Sequence, residues 1–290
     1  GNDMNATAKV LACVDRSSYA AHVADAATWA AKVMNADLEF LHVLDRHPEE
    51  GTSDDHSGAI GFNAQEALLT TLAQKDEARV RDMRQAGRLF LGELRERAHT
   101  AGAAQVDIRQ RHGELQETVM EQQRDFDLLV LGRRGASAGV THRDLGRNVE
   151  NLIRSLSRPI LTVTDWFRRP QKALIAFDGR ASTRKSIELL SQSALLRGLE
   201  VRLVMAGPRQ GETTRQLDWA KDKFLAAGFQ ASAHLMLGDP EVVIARVIKE
   251  EAIDLLVMGA YSHSPIRALL FGSKTNELLR SASVPTLLVR

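Results

Sequence analysis

The chain has 290 residues, of which 44% are hydrophobic and 26% are charged, and its formal net charge is +1. This composition fits a globular protein of about two domains, and the small net charge excludes a general attraction to nucleic acid or to an anionic membrane. No apolar run reaches the roughly 18 residues of a membrane helix. The polar residues before Met4 predict no signal peptide, and the single cysteine, Cys13, excludes an internal disulfide and a cysteine-based zinc site. We therefore expect a cytoplasmic protein.

The first part of the chain alternates short apolar runs with helical patterns. Apolar runs at 9–14, 38–44 and 106–111 predict strands, and helices are predicted after Ser17-Ser18, over 64–99 and over 115–124. Residues 45–63 are polar and without periodicity, which predicts a poorly ordered loop. The long helix is rich in charge and carries one apolar stripe, formed by Leu68, Leu72, Val80, Met83, Leu89 and Leu94.

A unit of strand, glycine-containing loop, helix and strand follows at residues 127–163. Its first strand leads into Gly132, and its last strand is predicted at 159–163. Residues 164–171 have no such pattern and are predicted to link two halves of the chain.

The second half repeats this order of elements. Strands are predicted at 172–177, 199–204 and 232–237, with helices from Ser182 or Thr183, over 213–227 and over 241–251. The strand–loop–helix–strand unit then recurs at 254–290. Within it, the run 255–258 fits a buried strand, Gly259 a sharp turn, and Gly272-Ser273 the start of a helix.

The alternation of strands and helices predicts an α/β fold with a parallel sheet covered on both faces. We expect two repeated doubly wound domains, at residues 4–165 and 170–290, each with a five-stranded parallel sheet. The two sheets are expected to be separate, with the strands at 159–163 and 285–289 at or near the interface between the halves.

The glycine loop of the second unit is a candidate anion site. A loop between a strand end and a helix start collects unpaired backbone N–H groups, which phosphate oxygens can satisfy. The alternative interpretation is that these glycines only form turns.

The second unit resembles the nucleotide loop of the universal stress protein family. That family has Gly, two residues, Gly, nine residues, and then Gly followed by Ser or Thr. Here the same spacing joins Gly259, Ser262 and Gly272-Ser273, with a serine in place of one glycine.

The first unit departs from the family pattern in a different way. Gly132 and Gly135 fit, but ten residues separate Gly135 from Gly146, and Arg147 stands where Ser or Thr is expected. We therefore expect a weaker second site in the first half, and tighter nucleotide binding in the C-terminal half.

The resemblance covers nearly the whole chain and implies a tandem protein whose two halves pair like a dimer of single domains. It implies strand order 3-2-1-4-5 in each half, which opens a ligand crevice between strands one and four. Asp15 and Asp178 end the first strands, so each half has an acid and a glycine loop at this crevice.

The resemblance also implies roles for individual residues. Asp178 would contact adenine and Gly238 would lie near the ribose. The remaining candidates of this site are Met258, Gly259, Ser262, Gly272, Ser273 and Lys274, and the weaker site adds Asp15, Gly113, Gly132, Gly135, Gly146 and Arg147.

Each candidate also has a purely structural interpretation. Asp178 can cap the following loop or helix, Gly238 can form a plain turn, and Ser273 can act as a helix N-cap. Lys274 can be a solvated surface residue. In the first half, arginines suited to phosphate crowd the loop, although Arg147 can also fill the site; these are Arg133, Arg134, Arg143 and Arg147. His112 and His142 are expected to be plain polar loop residues.

No motif for catalysis or for metal binding is recognised. The P-loop, the nucleophile elbow and clustered metal ligands are absent from the sequence. We expect a stress-response regulatory protein that binds ATP without catalysis, with Mg²⁺ left open. The alternatives are a nucleotide-independent interaction protein with decayed loops and a weak ATP hydrolase. The expected partners are the nucleotide and other proteins, not nucleic acid or a membrane; the halves form a pseudo-dimer, and a homodimer stays open.

Overall fold

The computed structural model describes residues 7–44, 62–133, 151–177, 181–207, 211–259 and 283–289. In the first half the elements are β1 (Lys9–Cys13), α1 (Ala20–Met34), β2 (Asp37–Leu44), α2 (Phe62–Thr100), β3 (Val106–His112), α3 (Leu115–Glu121), β4 (Leu128–Gly132), a helix α4 described over 151–155, and β5 (Ile160–Val163). In the second half they are β6 (Lys172–Ala176), α5 (Ala181–Ser191), β7 (Glu200–Ala206), α6 (Gly211–Ala226), β8 (Gln230–Met236), α7 (Pro240–Glu250), β9 (Leu255–Gly259) and β10 (Thr286–Val289).

The strand order in each half agrees with the order that the family resemblance implied. The first half has the order β3-β2-β1-β4-β5 and the second half the mirrored order β10-β9-β6-β7-β8, with parallel pairing inside each half. Strands β1 and β4 are neighbours, as are β6 and β9. The α/β fold and the repeated doubly wound architecture are therefore confirmed.

The expectation of two separate sheets is wrong. β5 and β10 pair antiparallel, with Leu161 opposite Leu287, and join the halves into one ten-stranded sheet. The physical reason is that each half would otherwise end in a short apolar edge strand with unpaired N–H and C=O groups. Pairing these two edges satisfies both, so the predicted interface strands meet by backbone hydrogen bonds.

The two faces of the sheet carry one core each. Alternate residues of β1 show this division, because Val10 and Ala12 belong to one cluster while Leu11 and Cys13 belong to the other. The first cluster lies beneath α1, α2, α5 and α6, and the second beneath α3, α4 and α7. Both clusters contain residues of both halves, so the core is continuous across the β5–β10 junction.

Helix α1 packs through the small face that the sequence predicts. Ala24 and Ala27 are fully buried, and Trp29 lies 5.9 Å from Phe167, measured between ring centroids. Its start differs from the prediction, since the helix begins at Ala20 and no side chain caps it. Ser17 instead accepts a hydrogen bond from the backbone N–H of Tyr19 in the preceding turn.

The long helix α2 extends well beyond the sheet. At 39 residues it is about 58 Å long, whereas a seven-residue strand such as β3 spans about 23 Å. Of the predicted stripe Leu94 is buried, and Leu91 and Ala98, which were not predicted, are buried with it. Leu72, Val80 and Met83 are exposed because the sheet does not reach them, whereas Leu89 is exposed because it faces away from the sheet, between the buried Gly87 and Leu91. The predicted loop at 45–63 ends earlier than expected, at the start of α2, and residues 45–61 lie outside the described residues.

A buried ion-pair network in the first half has a counterpart of reversed polarity in the second. Glu39 on β2 accepts hydrogen bonds from Lys9 Nζ at 2.7 Å and from Arg109 on β3. The matching β7 position carries Arg202, whose Nη1 lies 2.9 Å from His234 and 3.0 Å from Glu251. Each half thus has one charged residue on its second strand, negative in the first half and positive in the second. Residues of opposite charge or polar residues surround it.

We expect the Glu39→Gln variant to lose about 1–3 kcal/mol of stability at neutral pH, because two cations lose a nearly buried partner. Burial raises the pKa of Glu39, but hydrogen bonds and charge from Lys9 and Arg109 outweigh this, so its pKa lies below 4.5. A carboxyl group whose pKa is lower in the folded chain than in the unfolded chain stabilises the fold at pH values above its unfolded-state pKa. The difference between parent and variant should therefore shrink as pH falls below about 4.5, which urea unfolding at neutral and acidic pH can measure.

The matched control is Glu200→Gln. Glu200 lies 3.9 Å from Lys172, and its side chain is 45% exposed, so its replacement should change stability by less than about 0.5 kcal/mol. A Glu39→Gln difference that stays constant down to pH 3 would contradict the proposed role of the charge.

Candidate functional site

The carboxyl ends of the first and fourth strands meet at one edge in each half. β1 runs parallel to β4 with Cys13 opposite Leu131, and β6 runs parallel to β9 with Ala176 opposite Met258. In an open α/β sheet, the crevice outside these ends is the usual ligand site. Of the acids predicted at these ends, Asp15 is described, whereas Asp178 lies outside the described residues.

In the second half, the described candidates are Gly238, Met258 and Gly259. The Met258 side chain is 3% exposed and belongs to the buried cluster below the sheet, so only its backbone faces the edge. Gly259 is the last residue of β9 and pairs with Val289. Gly259 thus belongs to the strand, and the sharp turn expected at that residue is not found there.

Gly238 follows β8 in a conformation that favours glycine. Its φ is +130°, and an added Cβ would lie 3.4 Å from Val243. The next residue, Asp239, starts α7 and accepts a hydrogen bond from the Glu241 N–H at 2.9 Å. A plain turn explains this glycine as well as a ribose contact does, so its ligand role stays a prediction.

In the first half, Asp15 supports the turn before α1. Its Oδ1 accepts the Ser17 N–H at 3.0 Å, which is the capping role considered for the equivalent aspartate. Gly113 has φ +140° and donates its N–H to Leu44, which closes β3 against β2. Gly132 belongs to β4, where it pairs with Val163, so it forms no turn.

Arg133 does not face the crevice. It is fully buried, and its Nε donates to Thr162 at 2.9 Å while its Nη2 donates to the Val284 carbonyl at 2.7 Å. Burial lowers the pKa of Arg133 to about 9, against an opposing effect of Asp165. The guanidinium therefore holds the β5–β10 junction together, and the suggestion that Arg133 contacts phosphate is wrong.

The remaining loop candidates cannot be placed. The following lie outside the described residues: Gly135, Gly146, Arg147, Asp178, Ser262, Gly272, Ser273 and Lys274, together with Arg134, Arg143 and His142. His112 is described and ends β3 rather than lying in a loop, and its Nε2 accepts a hydrogen bond from Arg84 at 3.1 Å.

One buried polar residue near the first crevice was missed by sequence reasoning. His42 lies on β2 opposite Gln110, is 6% exposed, and contacts the Phe90 ring edge-on. Burial lowers its pKa, while the charge of Asp15 raises it and that of Arg16 lowers it. A histidine inside the apolar strand 38–44 was the available signal. His42 directly follows Leu41, which pairs with Cys13 at the carboxyl end of β1.

Metal-binding clusters and membrane-spanning helices are absent from the described ranges of the chain. Across those ranges, no group of three histidine, cysteine, aspartate or glutamate residues is arranged to hold a metal ion. No helix within them combines the length and the apolar character needed to cross a membrane. The carboxyl ends of β1 and β4, and of β6 and β9, are therefore the candidate site.

Comparison with known proteins gives consistent similarities over the whole chain. The sequence model of the Universal stress protein family matches residues 7–164 and 176–290. Universal stress protein Slr1230 of Synechocystis sp. is 33% identical over 284 residues, which cover 97% of this chain and 99% of that protein.

Solved structures resemble the fold at lower identity. A universal stress protein from Archaeoglobus fulgidus matches with a TM-score of 0.60 and 15% identity, covering 97% of this chain and 96% of the other. A Pseudomonas aeruginosa PAO1 protein of unknown function matches with a TM-score of 0.55 and 19% identity, covering 100% and 94%.

Proposed function

We propose that this chain, which belongs to the universal stress protein family, binds an adenine nucleotide, with ATP as the expected ligand, at the crevice of its C-terminal half. The observation that carries the proposal is the parallel pairing of β6 with β9. The chain leaves both strands at the same edge, and this supports a ligand site there for the residues that follow them, Asp178 and the loop after Gly259.

The roles proposed within this site are those that the resemblance to the family implies. Asp178 accepts hydrogen bonds from the adenine amino group, and Gly238 gives the ribose a close approach to the backbone. The loop from Gly259 to Ser273 holds the phosphates through backbone N–H groups. The helix that starts at Ser273 adds its positive end, worth about 0.3–1 kcal/mol when exposed, and Lys274 adds a nearby positive charge.

The proposed activity is regulatory binding in the cytoplasm, without catalysis. The sequence shows no general base positioned beside a nucleophile and no P-loop. It therefore offers no recognisable catalytic residues for the hydrolysis of ATP. Mg²⁺ would come with the nucleotide, since phosphate oxygens commonly supply part of its coordination.

We expect the Gly272→Val variant to lose ATP binding, because a branched side chain at the loop–helix boundary blocks the approach of the phosphates. Asp178→Ala should weaken ATP by about 1–3 kcal/mol, the effect of leaving a polar partner unpaired, and should reduce discrimination between ATP and GTP. Isothermal titration calorimetry on the full chain, with circular dichroism as the check of folding, measures both effects.

The matched control is Gly146→Val in the first half. That loop has an extra residue and Arg147 in place of Ser or Thr, so this variant should leave the main ATP affinity nearly unchanged. Should folded Gly272→Val bind ATP as the parent does, the second loop is only a turn, and the interaction-protein alternative replaces this proposal. Turnover of ATP that disappears in Asp178→Ala would favour a weak hydrolase instead.

A further inference from the structure

The exposed part of α2 continues the same apolar face that packs on the sheet. The helix repeats every eleven residues: Leu69, Val80 and Leu91 are equivalent, and so are Leu72, Met83 and Leu94. Eleven residues make just over three helical turns, so the repeat stays on one side of the helix. Leu91 and Leu94 are buried against the core, whereas Leu69 is 66% exposed and Leu72 is 43% exposed. The outer half of the helix therefore carries a packing face that remains exposed, with none of the other described elements packed on it.

This exposed face is symmetric along the helix. The face consists of Leu69, Leu72, Asp76, Val80 and Met83, with successive spacings of three, four, four and three residues. The sequence of spacings reads the same from either end, with Asp76 at its centre. When two such helices pair antiparallel about Asp76, Leu69 of one lies opposite Met83 of the other, and Leu72 opposite Val80. A surface that meets itself in this way is what a twofold dimer requires.

The charges around the face favour a second copy over an acidic or basic partner. Residues 62–86 contain four acidic side chains (Glu66, Asp76, Glu77, Asp82) and four basic ones (Lys75, Arg79, Arg81, Arg84). The segment is thus neutral, so it neither repels its own copy nor attracts a strongly charged surface. In the antiparallel arrangement Glu66 comes within two positions of Arg84 of the other copy, on the same flank, which is complementary.

We propose that the exposed face of α2 is a homodimer interface, in which two copies of this chain pair antiparallel about Asp76. The helical segment 62–86 that carries this face is about 37 Å long and about 10 Å wide, and two such segments bury on the order of 1,000 Å² in total, near the lower limit for a specific interface. The two Asp76 carboxylates meet at the centre, where their repulsion weakens the contact. The dimer is accordingly concentration-dependent, and Asp76 limits its strength.

Analytical ultracentrifugation of the full chain tests the interface. The parent is expected to dimerise reversibly, and Leu72→Glu should weaken the dimer by roughly tenfold or more, because a charge then enters an apolar contact. Asp76→Leu should strengthen the dimer, which no merely destabilising change would do. Leu189→Glu is the matched control, because Leu189 is 60% exposed on α5, away from this face, and it should leave the dimer unchanged.

Cysteine cross-linking tests the antiparallel geometry. The native thiol, Cys13, is buried, so a single introduced cysteine reports its own position. Asp76→Cys lies on the twofold axis and should cross-link with itself, whereas Leu69→Cys should not. A mixture of Leu69→Cys and Met83→Cys should form the mixed disulfide.

The proposal fails if the parent and Asp76→Leu are both monomeric at every concentration reached, or if a dimer persists unchanged in folded Leu72→Glu. It also fails if Leu69→Cys cross-links with itself as readily as Asp76→Cys does, since that indicates a parallel or a random encounter. None of these results depends on nucleotide, so they are independent of the proposed ATP site.

Discussion

Replacing Asp254 with asparagine is expected to lower the free energy of unfolding by about 2–4 kcal/mol. The aspartate is 3% exposed and comes immediately before β9. Its Oδ1 accepts the N–H groups of Gln171 at 3.0 Å and Lys172 at 2.8 Å, and its Oδ2 accepts the Gln171 N–H at 3.1 Å. An asparagine oxygen at the Oδ1 position can still accept both N–H groups, but the negative charge that strengthens these hydrogen bonds is lost, and an NH₂ group replaces Oδ2 beside the buried Gln171 N–H.

The first half supplies a matched control at the equivalent position. Asp127 precedes β4 and accepts the Lys9 N–H at 2.9 Å, but it is exposed. Asp127→Asn should therefore cost about 0–1 kcal/mol, because water can replace the lost interaction. Urea unfolding of both variants compares the two directly. Equal losses would show that burial does not set the strength of these N-terminal strand contacts.

Leu161→Ala is expected to cost about 2–5 kcal/mol and to make the two halves unfold separately. Leu161 is fully buried at the centre of the β5–β10 pair, opposite Leu287, which is 3% exposed. The cavity left by the smaller side chain lies where the cores of the two halves join. The variant thus loses stability in β5, and it also loses the packing that makes both halves unfold together.

Denaturant unfolding followed by Trp29 in the first half and Trp219 in the second resolves the two transitions. The other native tryptophan, Trp166, is replaced by phenylalanine in this background. Leu189→Ala serves as the control, since that side chain is 60% exposed, and it should shift stability by less than about 0.5 kcal/mol. A Leu161→Ala protein that still unfolds in one cooperative step would mean that the junction is not what couples the halves.

The elements of the fold were predictable because local patterns decide them. The runs 9–14 and 38–44 are apolar and short, and they form β1 and β2 almost as predicted. Contacts between elements were harder to foresee. The exposure of Leu72 on α2 depends on where the sheet ends, and the joining of the sheets depends on how β5 and β10 meet. Neither the end of the sheet nor the meeting of β5 with β10 can be read from a local sequence pattern.

The candidate site was predictable to a smaller extent. The sequence identified Asp15 and Gly132 at the ends of their strands, and parallel pairing brings those ends together. It assigned Arg133 to the ligand because arginine suits phosphate, yet the side chain turns to the junction and donates to Thr162 and Val284. Side-chain direction after a strand end depends on which acceptors are buried nearby, and only the folded chain supplies these.

The antiparallel pairing of β5 with β10 has a consequence for how the chain assembles. Joined by residues 164–171, the two edges meet at an effective concentration of the millimolar order expected for short linkers, so their pairing does not depend on the abundance of the protein. Linked halves can also diverge, since neither must remain complementary to an identical copy of itself. The halves differ in the reversed charges at Glu39 and Arg202 and in the lengths of α2 and α6. A covalent link between the halves permits differences of this kind.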